Sequence, residues 1–291
     1  MQESVQLKSF ELFPQDIDSV DVNLLHALSA SVGWPHRPKD WDMLRRAGKG
    51  IVAVDGIGRV FGSAMWFPQG RDFATIGLVI TSPRTQAQGN GRWLMDQVFT
   101  QCAGLNLSLN ATRAAYALYL SLGFVSEGIV HLHQGEVAPV LPALPALDGQ
   151  IEELTVVGLS AIADLDRAAF GVDRTAILAL LAEGASMRLL RRGGAVVGYS
   201  MCREFGRGHV LGPLVASSEE DAIHLAADHL EAFRGRFMRV DTRSTGAFAA
   251  YLNGAGLGAS DTVTSMSKGR RFLIDKPGQP TVYGLAGHAL N

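Results

Sequence analysis

The chain lacks most of what would commit it to covalent, membrane or nucleic-acid chemistry. Only two cysteines, Cys102 and Cys202, occur in 291 residues. They lie in different halves without metal-ligand spacing, and read as core residues of a reduced, cytoplasmic protein. No apolar run reaches the roughly 18 residues of a membrane span, and no signal peptide is expected. A formal net charge of −2 gives no general attraction to nucleic acid or to a membrane surface. No Cys or Ser constellation suggests a covalent intermediate. His131 and His133 share one face of a strand, but with no third ligand in sight no metal is expected. Apolar residues, by contrast, make up 47% of the chain against 19% charged, enough to bury substantial cores and to exclude disorder.

The length suits two domains. Pro139, Pro142 and Pro145 in residues 136–150 are spaced by three, which favours an extended linker and excludes a helix. Before it, the patterns predict strand 5–13, helices 20–31 and 38–46, and strands 50–55, 59–67 and 73–80. Helix 91–103, strand 106–110, helix 114–122 and a hairpin over 124–135 follow. After it the order repeats: strand 151–157, helices 160–169 and 174–183, then strands 187–192, 195–203 and 208–215. Helix 218–233, strand 236–241, helix 246–255, strand 257–268 and a tail strand near 281–286 complete the chain. The repeated order indicates internal duplication.

Residues 78–92, LVITSPRTQAQGNGR, carry the most chemistry. A strand runs into a loop with Gly89 and Gly91 and then into a helix. Glycines let the backbone approach a ligand closely, and the unpaired amides of a helix N-terminus favour an anion such as a diphosphate. A nucleotide P-loop is excluded, because no Lys-Ser or Lys-Thr follows the glycines, and the dinucleotide fingerprint is incomplete. Downstream, Asn106–Asn110 reads as a strand, and Leu118, Tyr119, Gly123 and Phe124 occur in LYLSLGF.

Together these segments resemble the GNAT acetyltransferases. Gln86, Gly89 and Gly91 fill the Arg/Gln-x-x-Gly-x-Gly/Ala pattern of that family's acetyl-CoA loop, and the text LNATRAAYALYLSLGF is similar to a bacterial subgroup with two GNAT domains in tandem. The resemblance implies a mixed α/β (α+β) fold with two tandem GNAT-like domains, each a mostly antiparallel sheet flanked by helices. Residues 1–138 would form the acetyltransferase domain, 139–150 the linker and 151–291 the second domain. It implies acetyl-CoA as co-substrate, held by the strand at Val79, Ile80 and Thr81 and by Gln86, Gln88, Gly89, Asn90, Gly91 and Arg92. Asn110 matches the residue that bonds the pantetheine arm, Tyr119 the tyrosine that reprotonates the CoA sulfur, and Tyr116 lines the CoA groove.

The activity implied is direct N-acetyl transfer in a ternary complex to a small-molecule amine or amino acid, with no nucleic-acid or membrane partner and with a homodimer left open. An acetyl-CoA-binding sensor and a protein or peptide N-acetyltransferase stay open as alternatives. The base is less legible. At pH 7 an α-amine (pKa ~7.7–8.0) loses its proton for about 1–1.4 kcal/mol, whereas a lysine amine (~10.4) needs about 4.6. A weak base therefore suffices for the first. The strand 73–80 carries no Asp or Glu, and His36, between the first two helices, is the candidate.

The second half departs from the family pattern. No glycine loop follows strand 208–215; Glu219, Glu220 and Asp221 occupy the first helical turn and would repel a diphosphate. Leu252, not Tyr251, stands where Tyr119 stands, and Asp241 where Asn110 stands. This half is expected to keep the architecture without an acetyl-CoA site. Arg203, Glu204, Asp241 and Arg243, near strand ends, are candidate contacts for a zwitterionic acceptor.

Overall fold

The computed structural model describes residues 4–7, 10–273 and 277–291. In the first half the elements are β1 (Val5–Leu7), β2 (Phe10–Asp16), α1 (Val22–Ser31), α2 (Pro38–Ala47), β3 (Lys49–Val54), β4 (Val60–Gln69), β5 (Phe73–Thr81), α3 (Asn90–Gln101), β6 (Asn106–Ala111), α4 (Tyr116–Ser121) and β7 (Val125–Glu136). In the second they are β8 (Gln150–Glu153), α5 (Ala163–Phe170), α6 (Thr175–Ala182), β9 (Ala185–Arg192), β10 (Ala195–Phe205), β11 (Gly208–Ala216), α7 (Glu219–Ala232), β12 (Phe237–Thr242), α8 (Ala247–Gly254), β13 (Gly258–Lys268) and β14 (Thr281–Gly284). Local chemistry sets the helix starts. Asp21 caps α1 through Asn23 N, Pro38 opens α2 where its missing N–H costs nothing, and Ser218 caps α7 through Asp221 N.

The fold is mixed α/β, with two GNAT-like halves whose mostly antiparallel sheets are flanked by helices. Those sheets are continuous. The strand order is β1-β2-β3-β4-β5-β6-β13-β7-β12-β11-β10-β9-β8, with β14 added on β11. Around its centre this order is symmetric: β5-β6-β13 on one side answers β11-β12-β7 on the other. Each half has thus given its last strand to its neighbour. β6 pairs with β13 (Asn110↔Ser265), β12 pairs with β7 (Asp241↔Leu132), and β7 and β13 pair with each other (Val130↔Val263).

Two sequence expectations are corrected. The hairpin expected over 124–135 is instead one strand, β7 (Val125–Glu136), because both its edges are taken by β12 and β13 from the other half. Strand 151–157 stops at Glu153, and 156–162 tighten into a 3₁₀ turn.

The cores follow the exchange. On one face a single apolar cluster joins both halves, with Leu25, Trp41 and Leu44 of α1 and α2 continuous with Phe170, Ile177 and Leu181 of α5 and α6. On the other face the clusters are separate, one under α3 and α4 and one under α7 and α8. The second holds His229, which is 1% exposed, with Nε2 3.0 Å from Ser200 Oγ.

Two expectations follow. Cut from the second half, residues 1–138 would leave β7 with no strand partner and β6 with a bare edge, a template for aggregation. That fragment should be insoluble alone and co-elute with fragment 139–291 in size-exclusion chromatography when the two are co-expressed. Burial, then the charge of Arg188, lowers the His229 pKa from 6.5 to about 4. Below pH 6.5 the unfolded chain takes up a proton that the fold refuses, so stability falls as pH drops from 6.5 towards 4. Denaturant titrations of His229→Gln should show a smaller acid loss than wild type, by a difference on the order of 3 kcal/mol.

Candidate functional site

β5 and β6 run parallel and part. Their ladder ends at Ile76↔Leu109, and at the same point β5 bulges. Met65 pairs with Gly77 and Ser63 with Ile80, so Leu78 and Val79 face Ala64 alone; Leu78 takes φ +52°. A leucine in the left-handed region is uncommon, and such strain needs a compensating contact. Ser63 Oγ supplies one, donating to Leu78 O at 2.7 Å. The bulge turns this length of β5 away from its neighbour and into a cavity of about 290 Å³.

The cavity is built by both halves. Gly77, Leu78, Val79, Asn110 and Tyr119 come from the first, and Arg203, Arg239, Asp241, Asp261 and His288 from the second. His36 borders it as well. The other expected residues lie elsewhere. Ile80 and Thr81 pair with β4, and Tyr116 packs on the cluster under α3. Gln86, Gln88, Gly89, Asn90, Gly91 and Arg92 form the loop and first turn of α3.

That loop is shaped to receive an anion. Ala87 and Gly89 have φ +58° and +95°, and the amides of residues 86–89 make no main-chain hydrogen bond among the described residues. Successive free N–H groups in such a bend form a concave anion nest at a helix N-terminus. Side chains brace it from behind. Gln86 Nε2 donates to Thr81 O, Gln88 Nε2 to Arg84 O, and buried Asn90 Nδ2 to Phe61 O and Thr85 Oγ1. Arg92 donates to Ser121 Oγ at 2.8 Å, tying α3 to α4.

Tyr119 is buried, edge-on to Phe124 at 5.9 Å, and burial raises its phenol pKa, so it stays protonated. His36 is boxed by Trp34, Trp41 and Phe205 at ring centroid distances of 5.7, 6.0 and 5.5 Å, and its Nδ1 is buried with no partner among the described residues. Burial lowers its pKa to about 4 despite nearby Asp40, whose carboxylate is bonded to Arg37 and Gly206 N.

The segment after β14 was not legible as part of a site. Thr75 Oγ1 donates to Ala289 O (2.7 Å), Gln69 Nε2 to Leu290 O (3.2 Å) and Arg174 Nη1 to Asn291 O (2.6 Å). Asn110 spends its amide here, with Nδ2 donating to His288 O (2.9 Å) and Asn291 Oδ1. Arg174 is itself fully buried on Asp166 at 2.8 Å. The tail thus closes one side of the parted strands and sets His288 beside Asp241 and Arg239. The one sequence signal near this segment is the expected tail strand at 281–286, which ends at Gly284.

In the second half the equivalent opening between β11 and β12 is filled by β14 and Leu285. β14 pairs with β11 at Leu214–Ala216, and Leu285 N donates to Asp241 O. The acidic turn of α7 is spent internally. Asp221 pairs with Arg192 at 2.6 Å, and Glu219 accepts from Ser244 Oγ and Phe248 N. Leu252 is buried apolar wall. Of the four candidate zwitterion contacts, Arg203 and Asp241 line the cavity, whereas Glu204 pairs with Lys39 and Arg243 donates to Leu273 O.

Two family models described as "Acetyltransferase (GNAT) domain" match the chain, one over residues 46–126 and one over 162–284. No curated protein matches in sequence. Among solved structures, the fold is similar to a candidate acetyltransferase from Pyrococcus horikoshii at 17% identity and TM-score 0.77, covering 100% of this chain and 99% of that one. It is similar to a tandem GNAT protein from the clavulanic acid biosynthesis pathway at 17% identity and TM-score 0.61, covering 91% and 100%. A GCN5-related N-acetyltransferase from Sphaerobacter thermophilus matches at 14% and 0.59, covering 94% and 97%. No helix among the described residues is long and apolar enough to cross a membrane.

The close seat of the tail on β5 is open to test. A Cβ added at Gly77 would lie 2.4 Å from Ala289 Cβ. Gly77→Ala should lower stability by about 1–3 kcal/mol in chemical denaturation, and adding Ala289→Gly should recover part of that loss.

Proposed function

The chain belongs to the GNAT acetyltransferase family and carries two of its domains in tandem, and from that premise we propose that it is an N-acetyltransferase moving the acetyl group of acetyl-CoA to a small amine. The observation that carries the reading is the bulge at Leu78, where β5 leaves β6 and faces a cavity shared with Tyr119. One site is proposed, built on residues 1–138 and closed by residues 151–291 across the 139–150 linker. The opening between β11 and β12 is already occupied by the chain itself.

Acetyl-CoA supplies an activated thioester. The residues fit its chemistry at three points. The nest of amides at 86–89 and the start of α3 suit the diphosphate. Beyond Ile76 the backbone of β5 has no pair on its β6 side, and there, at Leu78 and Val79, an N–H aimed at the carbonyl oxygen would be worth about 3–4 kcal/mol. Protonated Tyr119 gives its proton to the departing sulfur. Asn110 acts one step back: its amide fixes the tail that shapes the acceptor side. The proton leaving the amine has two imidazoles in the cavity wall to go to, His36 and His288. The volume of about 290 Å³ and its enclosure by the second half favour a small acceptor over a folded protein substrate.

Thiol release from acetyl-CoA across a panel of small amines and amino acids tests the reading. Turnover with at least one of them is expected. Tyr119→Phe should lower kcat by about tenfold or more while acetyl-CoA affinity changes by less than about threefold. Acetylation of protein termini but of no free amine would overturn the small-acceptor assignment, and an unchanged Tyr119→Phe rate would remove Tyr119 from the mechanism.

A further inference from the structure

We propose that His288 is the proton acceptor for the incoming amine, set in the cavity by the tail and oriented by the Asp241–Arg239 pair; this rests on the acetyl-transfer reading above. Three observations carry it. The first is position: His288 shares the cavity with Tyr119, Leu78 and Val79, and its own carbonyl is held by Asn110 Nδ2 at 2.9 Å. The ring therefore hangs from the residue next to the parted strands, on the side closed by the second half.

The second is its partner. Asp241 is fully buried, gripped at 2.7 Å on each oxygen by Arg239, and its Oδ2 lies 3.4 Å from His288 Nε2. Burial pushes the Asp241 carboxyl up, but the charge of His288 when protonated and that of Arg239 lower it overall, and Arg239 remains on both oxygens when the ring is neutral. Arg239 Nη2 is 3.1 Å from Nε2 and 3.4 Å from Nδ1, within hydrogen-bond distance of both ring nitrogens. The neutral ring keeps one lone pair, on the nitrogen that does not carry the proton. His36 has no such support: its box is aromatic, and Asp40 is spent on Arg37 and Gly206 N.

The third is charge state. His288 is 27% exposed and faces Asp241, Arg239 and, farther off, Asp261 and His36. Burial, then Arg239, outweighs the two aspartates and lowers its pKa to about 4, so the ring is neutral and ready to accept. Low basicity is no obstacle, because the nitrogen becomes far more acidic once it is bonded to the carbonyl carbon.

The step balances. The amine lone pair forms the N–C bond as the C=O π pair moves onto oxygen. The nitrogen then gives its proton to the unprotonated ring nitrogen of His288. As the carbonyl re-forms, the C–S pair leaves on sulfur, which takes the Tyr119 proton. Imidazolium then releases a proton to solvent and tyrosinate regains one, so amine and thioester become amide and thiol.

The test uses the full chain, acetyl-CoA and the best amine from the panel. In wild type kcat should stay level from about pH 8 to about pH 6 and fall only below, since the base works when neutral and its pKa lies under the ordinary histidine value. His288→Ala should lower kcat by about 100-fold or more, with acetyl-CoA affinity and acceptor KM within about threefold. Its residual rate should climb with pH over the range where wild type is level, and added imidazole should restore it by about tenfold or more. His288→Gln, closer in shape, guards against loss of the tail fold and should be equally slow. A kcat within about threefold of wild type in either variant overturns the proposal, as does a fall that tracks lost acetyl-CoA affinity and ignores imidazole. Wild-type protein that releases thiol with no amine overturns the acetyl-transfer reading and this inference with it. An active wild type with an active His288→Ala removes His288 alone.

Discussion

Main-chain hydrogen bonding between exchanged strands is the constraint on which the rest of this molecule depends. A strand edge buried without a partner is costly, and each half solves that problem with the other half's last strand. β13 covers β6, β7 covers β12, and β7 and β13 close the seam between them. The joint core beneath α1, α2, α5 and α6 follows directly, because strands that interleave carry their apolar faces into one cluster. The two halves are less like neighbouring domains than like one sheet with two centres.

The same symmetry makes the site asymmetric. Two equivalent partings arise, between β5 and β6 and between β11 and β12. The chain runs on after β13, and β14 fills the second parting. Its continuation crosses to the first and closes one side of it with Ala289 on Gly77 and with Asn110 holding His288 and Asn291. Charge is divided accordingly. One side of the cavity is lined by the backbone of Leu78 and Val79 and by the neutral phenol of Tyr119, and the other carries Arg203, Arg239, Asp241 and His288. Burying the Asp241 carboxylate is tolerable only because Arg239 meets both of its oxygens.

Much of this was legible in order along the chain. Apolar periodicity and turn residues place nearly every element to within a few residues, because those signals act over one turn or one pleat. The failures have one cause. Local pattern predicts a hairpin over 124–135 because it pairs only neighbouring residues, whereas the partners of the twelve-residue β7 are 101 and more residues away, at Phe237 and beyond. Asn110, expected from the resemblance to meet the pantetheine arm, also bonds through Nδ2 to a segment 178 and 181 residues on, a contact no local pattern announces. His288 carries no local signal at all.

The sequence by itself determined the duplicated order of elements, the glycine loop that opens α3, the single tyrosine in the LYLSLGF text and the acidic turn that closes α7 against a phosphate. Each is written in adjacent residues, where propensity, capping and glycine conformation operate. Only the tertiary structure decided which strands exchange, where Leu78 bulges, which parting is filled and which histidine faces Asp241. Those outcomes depend on pairing and burial between residues far apart in the chain, and no short stretch of sequence encodes them.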